Sequence, residues 1–297
     1  MHQVDETIKQ ELAALLAMYK DKKDKKKKKK KGKKGKKDKK KKKGKKWCKA
    51  VGSIARVDDA CVDLIHDKVI TKVKPAYLED FKGQYNYLES TLRAAEPVAP
   101  PPSALLIKNL IVEHCMLPLA SVPIRQQHPN VRVSRSLLLF GPKGSGKTML
   151  ARAIATQCGA QFFNLSPEIT NGLYTNQKDG AAYLVYKTFL CAQEMAPSII
   201  YMDDIEQIFT ASKKKGKGAD KNAPDRIQKD LIAMKKQIMV GMEATKKDSV
   251  LIIGTTTSPQ ALEGGGLKNA LDFFDDKVWV NYPDYGSNRL YAFAFSF

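Results

Sequence analysis

Residues 141–155, GPKGSGKTMLARAIA, follow the apolar run SLLLF (136–140) and open a helical pattern. Their first eight positions fit the motif G-x-x-x-x-G-K-[ST] throughout. Glycines in such a turn let backbone N–H groups point inward around a phosphate, and the positive end of the following helix faces the same place. The stretch therefore predicts a cradle for the phosphates of a nucleotide, and its candidate residues are Gly141, Pro142, Lys143, Gly144, Ser145, Gly146, Lys147, Thr148 and Met149.

Two acidic residues, Asp203 and Asp204, follow a second apolar run, SIIYM (198–202). A carboxylate at the tip of a strand beside a phosphate loop can hold the water shell of Mg²⁺, and a threonine at the end of the loop can ligate the ion. We therefore expect a nucleotide and Mg²⁺ as ligands, with Thr148 and Asp203 as the metal residues. The alternative is a strand that ends in two acids without any binding role.

Apolar runs alternate with helical patterns from residue 131 onward, and this alternation indicates the fold class. Strands that alternate with helices predict an α/β fold with a parallel sheet covered by helices on both faces. A ligand is then expected at the carboxyl ends of the strands. The five predicted strands are SLLLF (136–140), QFFNLS (161–166), SIIYM (198–202), SVLIIGT (249–255) and KVWVNY (277–282).

The chain of 297 residues divides into four parts by composition. Residues 1–19 place apolar side chains at helical spacing, which predicts an amphipathic helix. Residues 20–46 are Lys-rich and predicted to be disordered, because dense like charges repel and glycines interrupt any helix. Residues 47–102 predict a small helical and irregular segment with a Pro-rich linker. Residues 103–297 are expected to form the nucleotide-binding domain, with Ser103 as the cap of its first helix.

The formal net charge of +21 comes mainly from the Lys-rich tract, which holds 21 Lys and 3 Asp. Its function is open between a hook for a polyanion, such as nucleic acid, acidic lipid or an acidic protein surface, and a solvated linker. By composition it also resembles a nuclear import signal, so the nucleus is an alternative location. Five cysteines without a CxxC pair favour reduced thiols in an intracellular protein. No apolar run reaches the roughly 18 residues of a membrane span, so we expect none.

Residues from about 103 to 289 resemble the AAA family of P-loop ATPases, and APSIIYMDDIEQIF is similar to the third-strand signature of that family. Within the family the chain is similar to AAA proteins of the axonemal dynein regulatory complex. This resemblance implies the AAA fold, ATP as ligand, and a place in the axoneme of a cilium or flagellum. It also implies axonemal proteins and the microtubule surface as partners. The stretches that carry it are the Lys/Gly tract, YNYLESTLR, MLPLAS, FFNLSPE, GTTTSP and PDYGSNR.

Four departures from the family pattern concern hydrolysis and substrate handling. Asp204 stands where the family has the glutamate that orients water, Thr257 corresponds to its sensor asparagine, and Phe273 takes the place of its arginine finger. Asp204 and Thr257 are therefore the candidate catalytic residues. Tyr174 remains at the aromatic position of the pore loop, where a role as an ordinary loop residue is the alternative. The chain ends at Phe297, so the C-terminal helical lid of the family is expected to be absent and the sequence to be a fragment.

Three functional hypotheses follow from these observations. The first is a nucleotide-binding scaffold of an axonemal complex, with weak or absent hydrolysis. The second is an active AAA ATPase that remodels a protein complex. The third is a basic-tailed ATPase associated with nucleic acid, although charge outside the tract is nearly balanced. The missing catalytic parts favour the first.

Overall fold

The computed structural model describes residues 57–83, 85, 102–121, 123, 134–174, 180–209, 224–241, 249–262, 264–283 and 286–287. All of them belong to one compact unit, Ile54–Phe297. The predicted helix 1–19, the Lys-rich tract 20–46, most of the Pro-rich linker and the last ten residues lie outside the described residues. The predictions made for those parts of the chain therefore stay predictions.

Five strands form one sheet in the order β2-β3-β4-β1-β5, and every neighbouring pair is parallel. The α/β prediction is confirmed, as are the bounds of β1 and β3, while β2 and β5 end earlier than predicted. The strands are β1 (Ser136–Phe140), β2 (Gln161–Asn164), β3 (Ser198–Met202), β4 (Val250–Thr256) and β5 (Asp276–Trp279).

Helices connect these strands and precede the first of them. A wide π-type turn, Val112–Met116, joins α2 to α3, and short 3₁₀ turns occur at Leu78–Asp80, Pro224–Ile227 and Pro259–Ala261. None of the described helices is long and apolar enough to cross a membrane. The helices are α1 (Val57–His66), α2 (Ala104–Ile111), α3 (Leu117–Ala120), α4 (Lys147–Cys158), α5 (Pro167–Thr170), α6 (Gly180–Glu194), α7 (Ile205–Ile208), α8 (Gln228–Gly241) and α9 (Gly264–Phe273).

Alternate side chains of β1 reach the two faces of the sheet, so both faces are buried. Leu137 and Leu139 share one core with Ile107 of α2 and Leu150 of α4. Leu138 is equally buried but lies outside that core. On α2 the buried side chains include Ile107 and Ile111, whereas Leu106 and Leu110 are only half-buried.

The start of α2 is fixed as the sequence predicts. Ser103 is its N-cap in extended backbone geometry, and its hydroxyl accepts a hydrogen bond from the Leu106 N–H at 3.4 Å. Such a bond satisfies one of the N–H groups that the first turn of a helix leaves unpaired. Helix α2 therefore begins where it can place Ala104 and Ile107 beside the loop that follows β1.

Helix α1 is joined to α6 by a polar cluster. The Lys187 ammonium of α6 is fully buried and lies 2.6 Å from the carboxylate of Asp63, whose side chain is 60% exposed. Lys187 also donates to the Tyr174 hydroxyl at 3.3 Å. In the segment that follows α1, the Val69 carbonyl accepts a hydrogen bond from the Asn164 N–H at 2.7 Å. The segment that contains α1 is thus fixed to both α6 and the β2 edge.

We expect Asp63→Ala to lower the free energy of unfolding by about 1–3 kcal/mol, because it leaves the buried Lys187 ammonium without its carboxylate. The effect is kept below that of a fully buried pair, since solvent screens the exposed Asp63 side chain. Urea denaturation followed by circular dichroism measures it. Asp59→Ala removes an exposed carboxylate from the same helix and should change stability by less than about 0.5 kcal/mol. Equal stability of the two variants would show that the ion pair contributes nothing.

Candidate functional site

The loop between β1 and α4 depends on glycine at both ends. A Cβ on Gly141 would lie 2.0 Å from the Val280 carbonyl oxygen, so no side chain fits there. Gly146 has φ 93°, a left-handed conformation that other residues rarely adopt, and its Cβ would lie 3.1 Å from the Phe81 ring. The two motif glycines are therefore required by backbone conformation and by close packing.

Lys147 is buried, with 6% of its surface exposed, and its ammonium is held inside the loop. Its Nζ donates to the carbonyls of Gly141 at 2.8 Å and Pro142 at 2.6 Å. Burial lowers the pKa of this ammonium, while the negative charges of Asp203 and Glu206 act to raise it. The loop thus concentrates a cation at the carboxyl edge of the sheet.

The fit of a phosphate to the loop can be judged from the N-terminus of α4. Gly146 is the N-cap of this 12-residue helix, and no side chain caps it. The N–H groups of the first turn have no intrahelical partners, and together with the helix dipole they favour an anion. The glycine geometry, the uncapped helix and the enclosed ammonium all fit a phosphate group.

A cavity of about 640 Å³ adjoins the loop, large enough for a small organic group beside the phosphates. The Tyr282 hydroxyl, at its rim, donates to the Lys143 carbonyl at 3.1 Å. Sequence reasoning missed this cavity, because its walls come from distant parts of the chain. The lining includes Phe81, Ser103, Ile107, Gly146, Met149 and Tyr282.

Asp203 lies directly after β3 and is held by three hydrogen bonds. Its backbone N–H donates to Ser166 Oγ at 2.9 Å. Its Oδ1 accepts from the Thr255 hydroxyl and from the Asp204 N–H, the latter at 3.1 Å. The carboxylate predicted to serve a metal is therefore oriented by its neighbours.

Asp204 adopts a left-handed backbone, with φ 44°. Such a conformation is strained for most residues but is tolerated by aspartate. Burial, followed by the charge of Asp203, raises the pKa of the Asp204 carboxyl, and Lys143 acts to lower it. Gln207 donates to Asp204 Oδ2 at 3.4 Å. Asp204 therefore lies next to the metal candidate, but its short side chain is turned toward the start of α7.

A chain of hydroxyls joins the loop to Asp203, and the sequence analysis did not identify it. The Tyr201 hydroxyl donates to Thr148 Oγ1 at 3.3 Å and lies 3.1 Å from Thr255 Oγ1. Thr255 in turn donates to Asp203 Oδ1. Burial raises the pKa of the Tyr201 phenol to about 12. The only sequence signal was a tyrosine, with its polar hydroxyl, inside the otherwise apolar run SIIYM.

The other candidates have less direct relations to this site. Thr257 is exposed and lies one residue beyond β4, so its sensor role stays a prediction. Phe273 is 3% exposed and packs against Phe209 and Phe274, with ring centroids 5.3 and 5.0 Å apart. The position that the family resemblance predicts for the arginine finger therefore belongs to the hydrophobic core. Tyr174 donates to Asp67 at 2.5 Å, which ties this tyrosine to the end of α1.

One carboxylate near the loop escaped the sequence analysis. Glu206 follows Asp203 by three positions, and its charge acts on the Lys147 ammonium. Its Oε2 is buried without a hydrogen-bond partner among the described residues. The acidic side of the site therefore contains a third carboxylate beside Asp203 and Asp204.

Comparison with known proteins places this site in a family. Residues 137–278 match the family described as "ATPase family associated with various cellular activities (AAA)". The chain carries an AAA domain. The resemblance found in the sequence is thereby confirmed, and the matched residues begin in β1 and end in β5. The phosphate loop and both aspartates lie inside the AAA domain.

Curated relatives match the AAA domain and its surroundings. Dynein regulatory complex protein 11 of Mus musculus is 32% identical over 225 residues, which are 76% of this chain and 24% of that protein. Spastin of Homo sapiens is 32% identical over 151 residues, 51% of this chain and 22% of that protein. The chain spans about a quarter or less of these relatives.

A solved structure shares the architecture. The crystal structure of the FIGL-1 AAA domain in complex with ADP superimposes with a TM-score of 0.51 at 21% identity, covering 82% of this chain and 68% of that chain. At this identity the likeness shows the fold alone. It agrees with the five-stranded parallel sheet and the helices on its two faces.

Proposed function

We propose that the AAA domain binds ATP with Mg²⁺ and serves mainly as a nucleotide-binding scaffold, with weak or absent hydrolysis. The observation that carries this proposal is the loop itself. Its glycine-dependent turn, its uncapped helix N-terminus and its buried Lys147 ammonium together form a complementary environment for phosphates. The adjoining cavity has room for the nucleoside.

Thr148 and Asp203 are the residues that would hold Mg²⁺. Both offer oxygen atoms, which this ion prefers, and the Tyr201 and Thr255 hydroxyls connect them. When bound, the ion would neutralise part of the negative charge of the phosphates. Asp203 can bind the ion and still keep its hydrogen bond to Ser166, because that hydrogen bond uses the backbone N–H of Asp203 and leaves its carboxylate free of Ser166.

We propose weak hydrolysis because two side chains are poorly suited to catalysis, one where a proton would have to move and one where charge would have to be stabilised. Asp204 is one methylene shorter than the family's glutamate, and a misplacement of about 1 Å can cost about a hundredfold in rate. Phe273 offers no cation, and arginine fingers contribute about 10³ to 10⁵ in turnover. The second hypothesis, an active remodelling ATPase, is favoured only by the intact group of Lys147, Thr148 and Asp203.

The axonemal part of the proposal comes from a relative. The mouse protein whose match covers 76% of this chain is named as a dynein regulatory complex protein. We propose that this chain likewise belongs to a complex of the axoneme, in the cytoskeleton of a cilium or flagellum, and acts there as a regulatory or architectural subunit. The nucleus and a nucleic-acid partner are the alternatives that the Lys-rich tract leaves open.

Equilibrium titration with a fluorescent ATP analogue tests the binding part of this proposal. The full chain should show saturable binding that unlabelled ATP displaces. An AMP control should compete far less, because it lacks the two outer phosphates that Lys147 is placed to contact. Absence of saturable binding, or equal competition by AMP and ATP, would contradict a phosphate-directed site.

The Lys-rich tract gives a prediction about partners. If residues 20–46 are a polyanion hook, deleting them should remove the salt-sensitive part of binding to microtubules, since such attraction is screened by salt. Co-sedimentation with microtubules at low and at physiological salt, with and without the tract, measures this. ATP binding should not change, because the tract and the loop share no residues.

RNA binding in the same two salt conditions is the control for this prediction. Counterion release makes affinity for nucleic acid fall steeply with salt. If deletion changes the affinity for neither microtubules nor RNA at low salt, the tract is only a linker. A preference for RNA that persists at physiological salt would favour the nucleic-acid hypothesis over the axonemal one.

A further inference from the structure

We propose that Tyr201 is a positioning residue for Mg²⁺, holding Thr148 and Asp203 in one hydrogen-bonded arrangement through Thr255. The inference rests on the proposed function, because it assigns these residues to the metal that accompanies ATP. Tyr201 itself would contact neither a phosphate nor the metal ion. It would act through the residues that do.

The contacts form a continuous path across three structural elements. Tyr201 of β3 donates to Thr148 Oγ1 in the first turn of α4, at 3.3 Å. Its hydroxyl also lies 3.1 Å from Thr255 Oγ1, on the neighbouring strand β4. Thr255 donates to Asp203 Oδ1. Since each hydroxyl carries one proton, the two hydrogen bonds are those from Tyr201 to Thr148 and from Thr255 to Asp203, and the two hydroxyls between the predicted metal residues are in contact.

Burial makes this arrangement specific. Tyr201 is 4% exposed, and its ring packs against Phe162 with the centroids 5.3 Å apart. Thr255 is fully buried. Hydroxyls removed from water need protein partners, because an unpaired buried polar group is costly. The structure places the two threonine hydroxyls and the Asp203 carboxylate around the Tyr201 hydroxyl, so its position and theirs are coupled.

This coupling selects one orientation of the Thr148 hydroxyl. A threonine side chain has a few staggered rotamers, and a fixed partner favours the one that reaches it. The rotamer that meets Tyr201 also keeps the Thr148 oxygen on the β3 side of the loop, the side on which Asp203 lies. Phenylalanine would fill the same space at position 201 but would leave both threonine hydroxyls without this partner.

The experiment measures Kd for a fluorescent ATP analogue with saturating Mg²⁺ and, separately, with EDTA. Loss of one net hydrogen bond of about 1 kcal/mol corresponds to about fivefold in affinity. Tyr201→Phe should therefore raise Kd about fivefold in Mg²⁺ and change it less than twofold in EDTA. Thr255→Val should behave in the same way. Thr255→Ser keeps the hydroxyl, so its Kd in Mg²⁺ should stay close to that of the wild type.

Tyr183→Phe, which removes a phenol hydroxyl outside this network, is the matched control and should leave both Kd values unchanged. Thermal melting of every variant shows that it is folded. Equal weakening in Mg²⁺ and EDTA would mean a merely structural role and overturn the proposal, as would no change in either. Wild-type binding that ignores Mg²⁺ would also overturn it, while leaving nucleotide binding intact. No wild-type binding in either condition would instead remove the proposed function itself.

Discussion

Lys147→Ala should weaken the binding of ATP about a hundredfold. The Lys147 ammonium is enclosed by the carbonyls of Gly141 and Pro142 and is a positive charge held inside the loop. A charge-assisted hydrogen bond contributes about 1.5–3 kcal/mol, and each 1.4 kcal/mol corresponds to tenfold in affinity. Two such contacts to the outer phosphates would account for the expected loss. Titration of a fluorescent ATP analogue measures it.

Lys229→Ala is the control for this prediction. It removes an equal charge from an exposed position on α8 and should leave the affinity unchanged. Circular dichroism of both variants shows whether the fold persists, which matters because Lys147 itself is buried. Equal affinity of a folded Lys147→Ala variant and the wild type would exclude this loop as the nucleotide site.

A very low rate of ATP turnover is the second large effect that we expect. Asp204→Glu should not raise that rate to the level of an active ATPase. Two deficits combine in the unmodified chain, the short Asp204 side chain and the core position of Phe273, and each alone can cost about a hundredfold or more. The two groups would act in the same step, so their contributions are not additive, and lengthening one carboxylate without supplying a cation leaves that step impaired. Phosphate release by the variant should therefore stay within about threefold of the wild type.

Asp204→Ala completes that comparison. If Asp204 contributes little to turnover in the unmodified chain, removing its carboxylate should also change phosphate release by less than about threefold. A large loss on Asp204→Ala would show that this aspartate works as a catalytic residue. A hundredfold gain on Asp204→Glu would show that no second deficit limits the rate, and both results would favour the active ATPase.

Local patterns were enough to predict the framework of the AAA domain. The runs SLLLF and SIIYM correspond to β1 and β3 without any change of bounds, because continuous apolar runs between turn residues are typical of buried parallel strands. The phosphate loop was equally predictable, since its glycines and Lys147 are adjacent in the sequence. Ser103 was recognised because a cap depends only on its own helix.

Contacts between distant segments could not be predicted in this way. Tyr201 and Thr255 are 54 positions apart, and their hydroxyls meet because β3 and β4 are neighbours in this register. The cavity wall formed by Phe81 and Tyr282 likewise depends on how separate segments fold around the loop. Periodicity reports which face of an element is buried, but it does not report which polar atoms meet across that face.

Phe273 shows how a family resemblance can suggest a role for a position and leave the environment of its side chain unknown. The sequence placed it where the family has its arginine finger, and the structure adds that the side chain lies in an aromatic cluster with Phe209 and Phe274. The buried Lys235 ammonium lies 5.1 Å from the centroid of the Phe273 ring. A second cation at this position would have to be buried beside the first, so the substitution fits the local packing of this chain.

A single-turnover assay tests the central claim, that ATP is bound and not efficiently hydrolysed. Radiolabelled ATP is mixed with the chain and Mg²⁺ in excess, at protein concentrations that the titration shows to saturate the nucleotide. From a typical turnover of about 10 s⁻¹, the absence of an arginine finger, which contributes about 10³ to 10⁵, leaves about 10⁻³ s⁻¹ at the middle of that range, a half-life of about ten minutes. We expect bound ATP to stay largely intact over the first minute. Conversion of most of the bound ATP to ADP within a few seconds would contradict it.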